Sequence, residues 1–328
     1  MRSHSQQTFT AVRNEGGLLS PDLMTSLATD HDEIPGMRGE DYHLVSGERI
    51  NEVITRSWNR MRAAWDAFSK ARISLPKDDP GTTITRERLL LILFQELGYG
   101  RLAASASTEI DGKSYPISHM WRRAPIHLVG VGIDLDRRTA GVAGAARMSP
   151  YSMIQEYLNR SDEHLWAFLS NGLKLRLLRD SRSITRQAYI EFDLEAMFEG
   201  ELFPDFVILW LLCHESRIEA DRPEECWLER WSALGYEKGA RALDELRRGV
   251  EEAIAALGSG FLAHPANTVL RDSLRDGSLS VQDYYRELLR IVYRVIFLFV
   301  SEDRGLLHDS EASEESRKLY MTYRGVDS

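Results

Sequence analysis

Apolar residues along the chain follow first a helical period, then a strand period, then a helical one again. The helical period opens at Ile50. From there Val53, Ile54, Trp58, Met61, Trp65 and Phe68 recur every three or four positions, the stripe of an amphipathic helix. Pro76, Asp78, Asp79, Pro80 and Gly81 interrupt it. Thr85 is placed to cap a second helix carrying Leu89, Leu90, Leu93, Phe94 and Leu97, apolar nearly all round and so predicted to be buried, with Gly98 and Gly100 as stops. Residues 1–49 hold no period and read as a flexible arm or as a segment laid across another domain.

Strand patterns follow. Ile110 to Ile117 reads as a short strand pair turning at Asp111-Gly112, and Ile126–Ile133 as a strong strand ending in Asp134-Leu135-Asp136. After a Gly/Ala-rich stretch, Ser149-Pro150 has the residues that open a helix. Leu165–Leu169 leads into Asn171-Gly172, after which Leu173, Leu175 and Leu177 alternate with Lys174 and Arg176. That is a hairpin whose tight turn asks for positive φ at both central residues. Alternation sends the leucines to the core and the cations to the opposite face, so changing both cations to Glu is expected to leave folding nearly intact.

From about residue 192 the helical period returns. Asp205 is placed to cap Phe206–His214; Trp227, Trp231 and Leu234 share one face; Leu243, Leu246, Val250, Ile254 and Leu257 run up to Gly258, read as a helix C-cap; Leu288, Leu289, Val292, Val295, Ile296 and Phe299 form a last stripe. His308–Ser328 is polar and linker-like.

Composition narrows the class. The 328 residues are 43 % hydrophobic and 28 % charged, a globular balance. With 41 Lys+Arg against 50 Asp+Glu the net charge is −9, which excludes coating nucleic acid by bulk charge but leaves room for a local basic groove. Two cysteines, Cys213 and Cys226, make neither a disulfide framework nor a CxxC zinc site, and a reducing cytoplasm fits. The polar N-terminus has no signal-peptide pattern, and the longest apolar run, Phe206–Cys213, is far too short to span a membrane.

Several constellations bear on chemistry. The element order between 85 and 180 resembles nucleases of the PD-(D/E)xK type, which hold a divalent metal with carboxylates and orient water with a cation. Asp134 and Asp136 end a strand in a suitable place, but no Asp/Glu-x-Lys follows them before the helix; Glu109, Asp111 and Lys113 carry those letters too early, at a hairpin turn. Gln155 is the weak candidate on the next helix, followed by Tyr157 only two positions on. The catalytic candidates are therefore Asp134, Asp136 and Gln155, against the reading that the aspartates merely polarise a strand end. Lys174, Arg176 and Arg179, with Arg182 and Arg186, form a basic stretch that meets either solvent or DNA phosphates. Arg286, Arg290 and Arg294 stripe the last helix, facing phosphate or pairing acidic neighbours. His214 beside Cys213 reads as core rather than metal ligand, and the chain has no Asn/Asp-Pro-Pro-Tyr/Phe run for gripping an exocyclic amine.

A set of strings in fixed order carries a family likeness: Phe94-Gln95-Glu96-Leu97-Gly98-Tyr99-Gly100; Ser149-Pro150 with Gln155-Glu156-Tyr157-Leu158-Asn159; Ser170-Asn171-Gly172-Leu173; Glu191-Phe192-Asp193-Leu194-Glu195; and Leu288–Arg294 with Phe297–Arg304. Over roughly residues 50–306 the chain resembles the N-terminal region of large adenine-specific DNA methyltransferases, of type IIG restriction–modification enzymes and of the BREX and DISARM phage-defence kind. The resemblance implies a nuclease-like, often degenerate domain followed by a helical connector, with the methylase and target-recognition parts beyond it. No methylase residue of that family has a matching position here.

The expected fold is α+β, a small mixed sheet with flanking helices, degenerate PD-(D/E)xK nuclease-like, followed by a helical connector bundle. The expected divisions are an arm over 1–49, the nuclease-like domain over 50–190, the connector over 191–306 and a tail over 307–328. The expected function is a non-catalytic module of such a methyltransferase that positions the methylase, a partner or DNA backbone. The alternatives are a Mg-dependent endonuclease and an interaction scaffold without DNA contact. No cofactor is expected in this chain, S-adenosylmethionine belonging to a longer or partner chain and Mg only to an active nuclease. The expected partners are DNA, bound weakly and non-specifically, and a methyltransferase domain or defence-system proteins, with no membrane.

Overall fold

The computed structural model of the chain describes residues 9–29, 34–180, 188–303 and 306–307. The chain divides into two compact units, Met1–Gly239 and Ala240–Ser328. The boundary falls inside a helix, whereas the division expected at 190/191 would cut a strand.

The first unit is a mixed α/β structure. Its arm holds strand β1 (Val12–Glu15) and helix α1 (Pro21–Thr29). Helix α2 (Ile50–Ile73) buries the predicted stripe, with Met61 and Phe68 fully inaccessible. Each such large apolar side chain contributes about 1.5–3 kcal/mol by leaving water. A continuous helical stretch follows, made of α3 (Thr82–Thr85), a π-turn at Arg86–Leu90 and α4 (Leu91–Glu96). Gly81, not Thr85, precedes it, at φ 72°. Thr85 is buried one turn in, and its hydroxyl accepts from the Val131 amide at 3.0 Å.

Strands β2 (Thr108–Ile110) and β3 (Lys113–Tyr115) make a separate two-stranded ribbon, turning at Asp111 (φ 51°) and Gly112 (φ 74°) as expected. The main sheet contains β4 (His119–Trp121), β5 (Ala124–Leu128), β6 (Trp166–Ser170), β7 (Lys174–Arg179) and β8 (Tyr189–Asp193) together with β1. Its strand order is β1-β8-β7-β6-β5-β4. All pairs are antiparallel except β5 with β6, which the crossover helix α5 (Pro150–Arg160) joins in parallel. Ser149 caps α5 by accepting from the Ser152 amide. Helices α6 (Leu194–Glu199) and α7 (Phe203–Cys213) complete the packing, with Trp58 of α2 stacked on Phe198 at 5.4 Å and tilted on Phe206 at 5.1 Å.

Both sheet faces are covered. Ile126, Leu128, Phe168, Leu175, Leu177, Ile190 and Phe192 join the core that includes α2, α4 and α7. Ala167, Leu169, Leu178 and Tyr189 join the smaller core around α5. The arm takes the second of its two expected roles. β1 pairs antiparallel with β8, and Asp205, predicted as a helix cap, instead accepts from the Ala11 amide at 2.6 Å. Buried Arg217 donates to the carbonyls of Gly36 (2.7 Å) and Asp41 and stacks over Tyr42 at 3.7 Å.

Two further expectations are corrected. The strand predicted over Ile126–Ile133 ends at Leu128, because Arg86 takes the Leu128 carbonyl (Nε 2.9 Å) and Gly130 meets the backbone of Pro80. A Cβ on Gly130 would lie 2.1 Å from the Pro80 oxygen, and the Gly132 amide donates to that oxygen at 3.1 Å. The hairpin at Asn171-Gly172 forms as predicted, but only Gly172 has positive φ (84°). Asn171 holds the turn through its side chain, its Oδ1 accepting from the amides of Leu173 and Lys174.

The second unit contains the end of helix α8 (Trp227–Ala263), α9 (Thr268–Asp276) and α10 (Val281–Asp303). Gly258 is not a C-cap; the helix runs on through it, and the missing side chain admits Leu288, whose Cδ1 lies 3.0 Å from the position a Cβ would take. Ile254, Leu288 and Val292 are the buried core of this unit. Leu246, Tyr293, Phe297, Leu298, Phe299 and Val300 stay exposed. Among the described residues no helix is long and apolar enough to cross a membrane.

Among the described residues three histidines are buried: burial, then the charge of Arg86, lowers His119 and His127 to about 4, and burial, then Arg217, lowers His214 to about 3. The unfolded chain takes up these protons near pH 6.5, so the stability held by the neutral rings is complete above that value and drains as pH falls toward 4. Urea unfolding at pH 7.5, 6.0 and 5.0 should show stability declining by up to about 1.4 kcal/mol per pH unit for each histidine. A flat profile between pH 7 and 5 would contradict the buried neutral rings.

Candidate functional site

The candidate residues converge in part on the face of the sheet that α5 covers. Across that face Leu169, Arg176 and Glu191 stand opposite one another in register. Arg176 is 2 % exposed. Its Nε donates to Glu191 at 2.7 Å, while Nη1 and Nη2 donate to the two oxygens of Asp136 at 2.6 and 2.7 Å. The guanidinium also lies 4.4 Å from the Tyr189 ring centre and 5.6 Å from that of Tyr151. Lys174, half exposed at the hairpin end, donates to the other Glu191 oxygen at 2.9 Å.

The electrostatics follow from this packing. Burial opposes the charge on Arg176, but the two carboxylates outweigh it and hold the guanidinium above its ordinary range. The hydrogen bonds from Arg176 hold Asp136 below the usual carboxylate range. A bidentate fork on Asp136 and a third bond to Glu191 leave a buried cation with two anionic partners, the arrangement in which a buried charge is tolerated.

Asp134 and Asp136 do not end a strand; both lie in the segment that leaves the sheet after Leu128. Asp134 is exposed, accepts from the Asp136 amide at 2.8 Å and sits 3.6 Å from Arg137. Gln155 on α5 donates to the Arg179 carbonyl at 3.2 Å and to Asn159 at 2.9 Å, at the other end of β7 from Lys174. Arg179 makes a fork with Glu229, 2.7 and 2.8 Å, and Trp166 Nε1 donates to the same carboxylate at 2.8 Å. Structure thus brings together Asp136, Lys174 and Arg176, and leaves Asp134 and the Gln155–Arg179 pair apart.

For Arg176 the expectation of an exposed cation is corrected. It does lie on the face opposite Leu175 and Leu177, but α5 and the segment after β5 cover that face. Arg182 and Arg186 lie outside the described residues. On the last helix, Arg286 pairs with Asp283 at 3.0 Å and Arg290 with Glu287. Lys113 pairs with Glu156 at 2.6 Å, and Asp111 with Arg160 at 3.9 Å, so the early acid-x-Lys letters tie the ribbon to α5. Cys213 and His214 are core: burial raises the thiol, and the imidazole Nδ1 lies 2.9 Å from Ser216 Oγ. Among the described residues no group of three or more His, Cys, Asp or Glu side chains gathers as a metal set.

Sequence reasoning missed Glu191 and Glu229 as partners. The available signal for Glu191 was a single acid inside an otherwise apolar strand, Tyr189-Ile190-Glu191-Phe192, which needs an internal cation. Glu229 carries no such mark.

Replacing Arg176 with Met should destabilise the fold by about 3–5 kcal/mol, because Glu191 stays buried without its counter-charge. Lys174→Met, at a half-exposed position, should cost about 1 kcal/mol or less. Urea denaturation of the two variants checks the contrast, and equal, small losses would mean that Arg176 is solvated. No protein-family model matches the chain, and comparison with curated proteins and with solved structures returns no match.

Proposed function

We propose that the chain is a non-catalytic N-terminal module of a DNA restriction–modification or phage-defence adenine methyltransferase, positioning the methylase, a partner protein or DNA backbone. The supporting observation is the state of the carboxylate nearest the nuclease-like position. Both oxygens of Asp136 are taken by one guanidinium, and Glu191 by that guanidinium and Lys174. Carboxylates that hold a catalytic Mg²⁺ must offer free lone pairs to the metal. Here one guanidinium neutralises Asp136 and takes a lone pair on each of its oxygens, and Glu191 is buried against the same cation, which suits a degenerate nuclease-like domain whose polar cluster braces the sheet.

The element order supports the same reading: a hairpin, a crossover helix and a strand parallel to the hairpin's second strand. The exposed apolar side chains of α10 supply a surface for a further protein domain, as large uncovered apolar patches do. A connector role would place the methylase there.

One observation favours the scaffold reading over DNA contact. Lys174, Arg176 and Arg179 all spend their charge on carboxylates of this chain. Phosphate binding by the hairpin would require breaking those pairs, and the net charge of −9 gives no long-range help.

The test uses the chain as it is. With labelled S-adenosylmethionine and an adenine-containing duplex it should transfer no methyl group, and with Mg²⁺ or Mn²⁺ it should leave plasmid intact. Metal-dependent cutting that disappears in Asp134→Ala, an exposed position, would replace this reading with the endonuclease. Binding of S-adenosylmethionine by the isolated chain would also overturn it. Duplex binding at low salt that Lys174→Glu leaves unchanged would take the hairpin out of the DNA contact, and no duplex binding at low salt would assign the positioning role to protein contact alone.

A further inference from the structure

A groove of about 640 Å³ runs between α8 and α10 of the second unit. Its α10 wall projects: Val295 and Phe299 line it, and both are exposed. Its α8 wall is low, built of Gly249, Ala253 and Ala256. Gly249 is exposed in the interior of α8, and no atom lies within 4 Å of the place its Cβ would take. Glycine weakens a helix interior relative to alanine, and nothing within the described chain comes close enough here to need it. An apolar ridge beside a bare hollow, both on one face, is a shape that fits a second copy of itself.

The charges on the rims allow the same fit. Gly258 meets Leu288, and its carbonyl accepts from the Tyr284 hydroxyl. Residues before 258 and after 288 line one groove, so the two helices run antiparallel. Counting from that contact, Glu252 lies six residues before Gly258 and Arg294 six after Leu288, which puts them at one height along the pair. Glu252 belongs to the helical row of Gly249 and Ala256, and Arg294 to the row of Ile291 and Leu298, so they stand on opposite rims. Both are exposed, and neither makes an ion pair with another described residue, unlike Arg247 with Glu251 or Arg290 with Glu287 on the same helices.

We infer that this groove is the interface between two copies of the chain, related by a two-fold axis parallel to α8 and α10. That operation lays α8 of each copy antiparallel on α10 of the other without changing height. Gly249, nine residues before Gly258, then receives the partner's Val295 and Phe299, which bracket the same height. Glu252 meets the partner's Arg294, so a single register satisfies shape and charge together, as rim pairs do in helical bundles. Tyr293, Phe297 and Val300 fall on the other side of α10 and stay outside this interface. The inference thus goes beyond the methyltransferase reading and leaves those side chains to a further domain.

The test is sedimentation equilibrium of the full chain at low salt, between about 1 and 100 µM. We expect a reversible dimer. Glu252→Arg and Arg294→Glu each set two like-charged pairs in the homodimer, because symmetry counts every reversal twice, and each should weaken it about tenfold or more. Mixed in equal amounts, the two variants should regain wild-type association. In that heterodimer the two reversed side chains face each other, and so do the two native ones. Gly249→Trp, at an exposed position, should fill the hollow and abolish the dimer with helix content unchanged by circular dichroism. A chain that stays monomeric throughout this range would overturn the proposal. So would a dimer that survives the single reversals or Gly249→Trp, or a mixture of the two reversals that fails to associate.

Discussion

A guanidinium held between two carboxylates ties together pieces of the first unit that are far apart in sequence. Arg176 belongs to β7, Glu191 to β8, and Asp136 to the segment that leaves the sheet after β5. Tyr151 of α5 and Tyr189 of β8 pack against the same cation. Such a cluster adds little net stability relative to well-packed apolar residues, because desolvating Arg176 and Glu191 offsets most of their attraction. What it does supply is discrimination. If the 129–149 segment packed elsewhere, Arg176 and Glu191 would lose Asp136 and keep an imperfectly neutralised pair beneath α5, so alternative placements of the segment are penalised.

That segment needs such a constraint because beyond Val129 it runs in no strand ladder of the sheet. The Val129 amide still bonds to Ser170, after which the chain turns away to meet Pro80, at a separation only glycine permits. Arg86, in a π-turn, closes the strand by taking the Leu128 carbonyl. A wide helical turn that aims one side chain at a strand end is a feature often associated with function. Here its visible work is to end β5 and to release the chain that carries Asp136.

Much of this fold was legible in the residues, for identifiable reasons. α2, α5, α7 and α10 follow from apolar stripes, and the ribbon and the main hairpin from Asp-Gly and Asn-Gly between strand-like runs. What was not legible depends on partners distant in sequence. The arm carries Val-Arg-Asn-Glu at β1, a polar string that becomes a strand only because β8 offers an open edge. Its other anchors, Asp205 on the Ala11 amide and Arg217 on two carbonyls and an aromatic face, use side chains to hold backbone, which leaves no periodic trace. For the site, alternation placed Lys174 and Arg176 on the correct face. It was silent on whether anything covered that face, and the covering by α5 is what turns a would-be phosphate contact into an internal brace.

The helical unit shows the opposite imbalance. Among the described residues, three buried apolar side chains are a small core for helices of this length, and a helix apolar around much of its circumference normally has neighbours on more than one side. α8 meets α10 closely because Gly258 allows Leu288 in and its carbonyl accepts from the Tyr284 hydroxyl at 2.8 Å. That contact uses only one face of α10. Phe297, Leu298, Phe299 and Val300 are consecutive, so they point around the whole turn, and no single partner helix can cover them all. The packing of α10 on α8 therefore leaves apolar side chains of this unit uncovered. The first unit differs in having both sheet faces covered and its central cation internally neutralised.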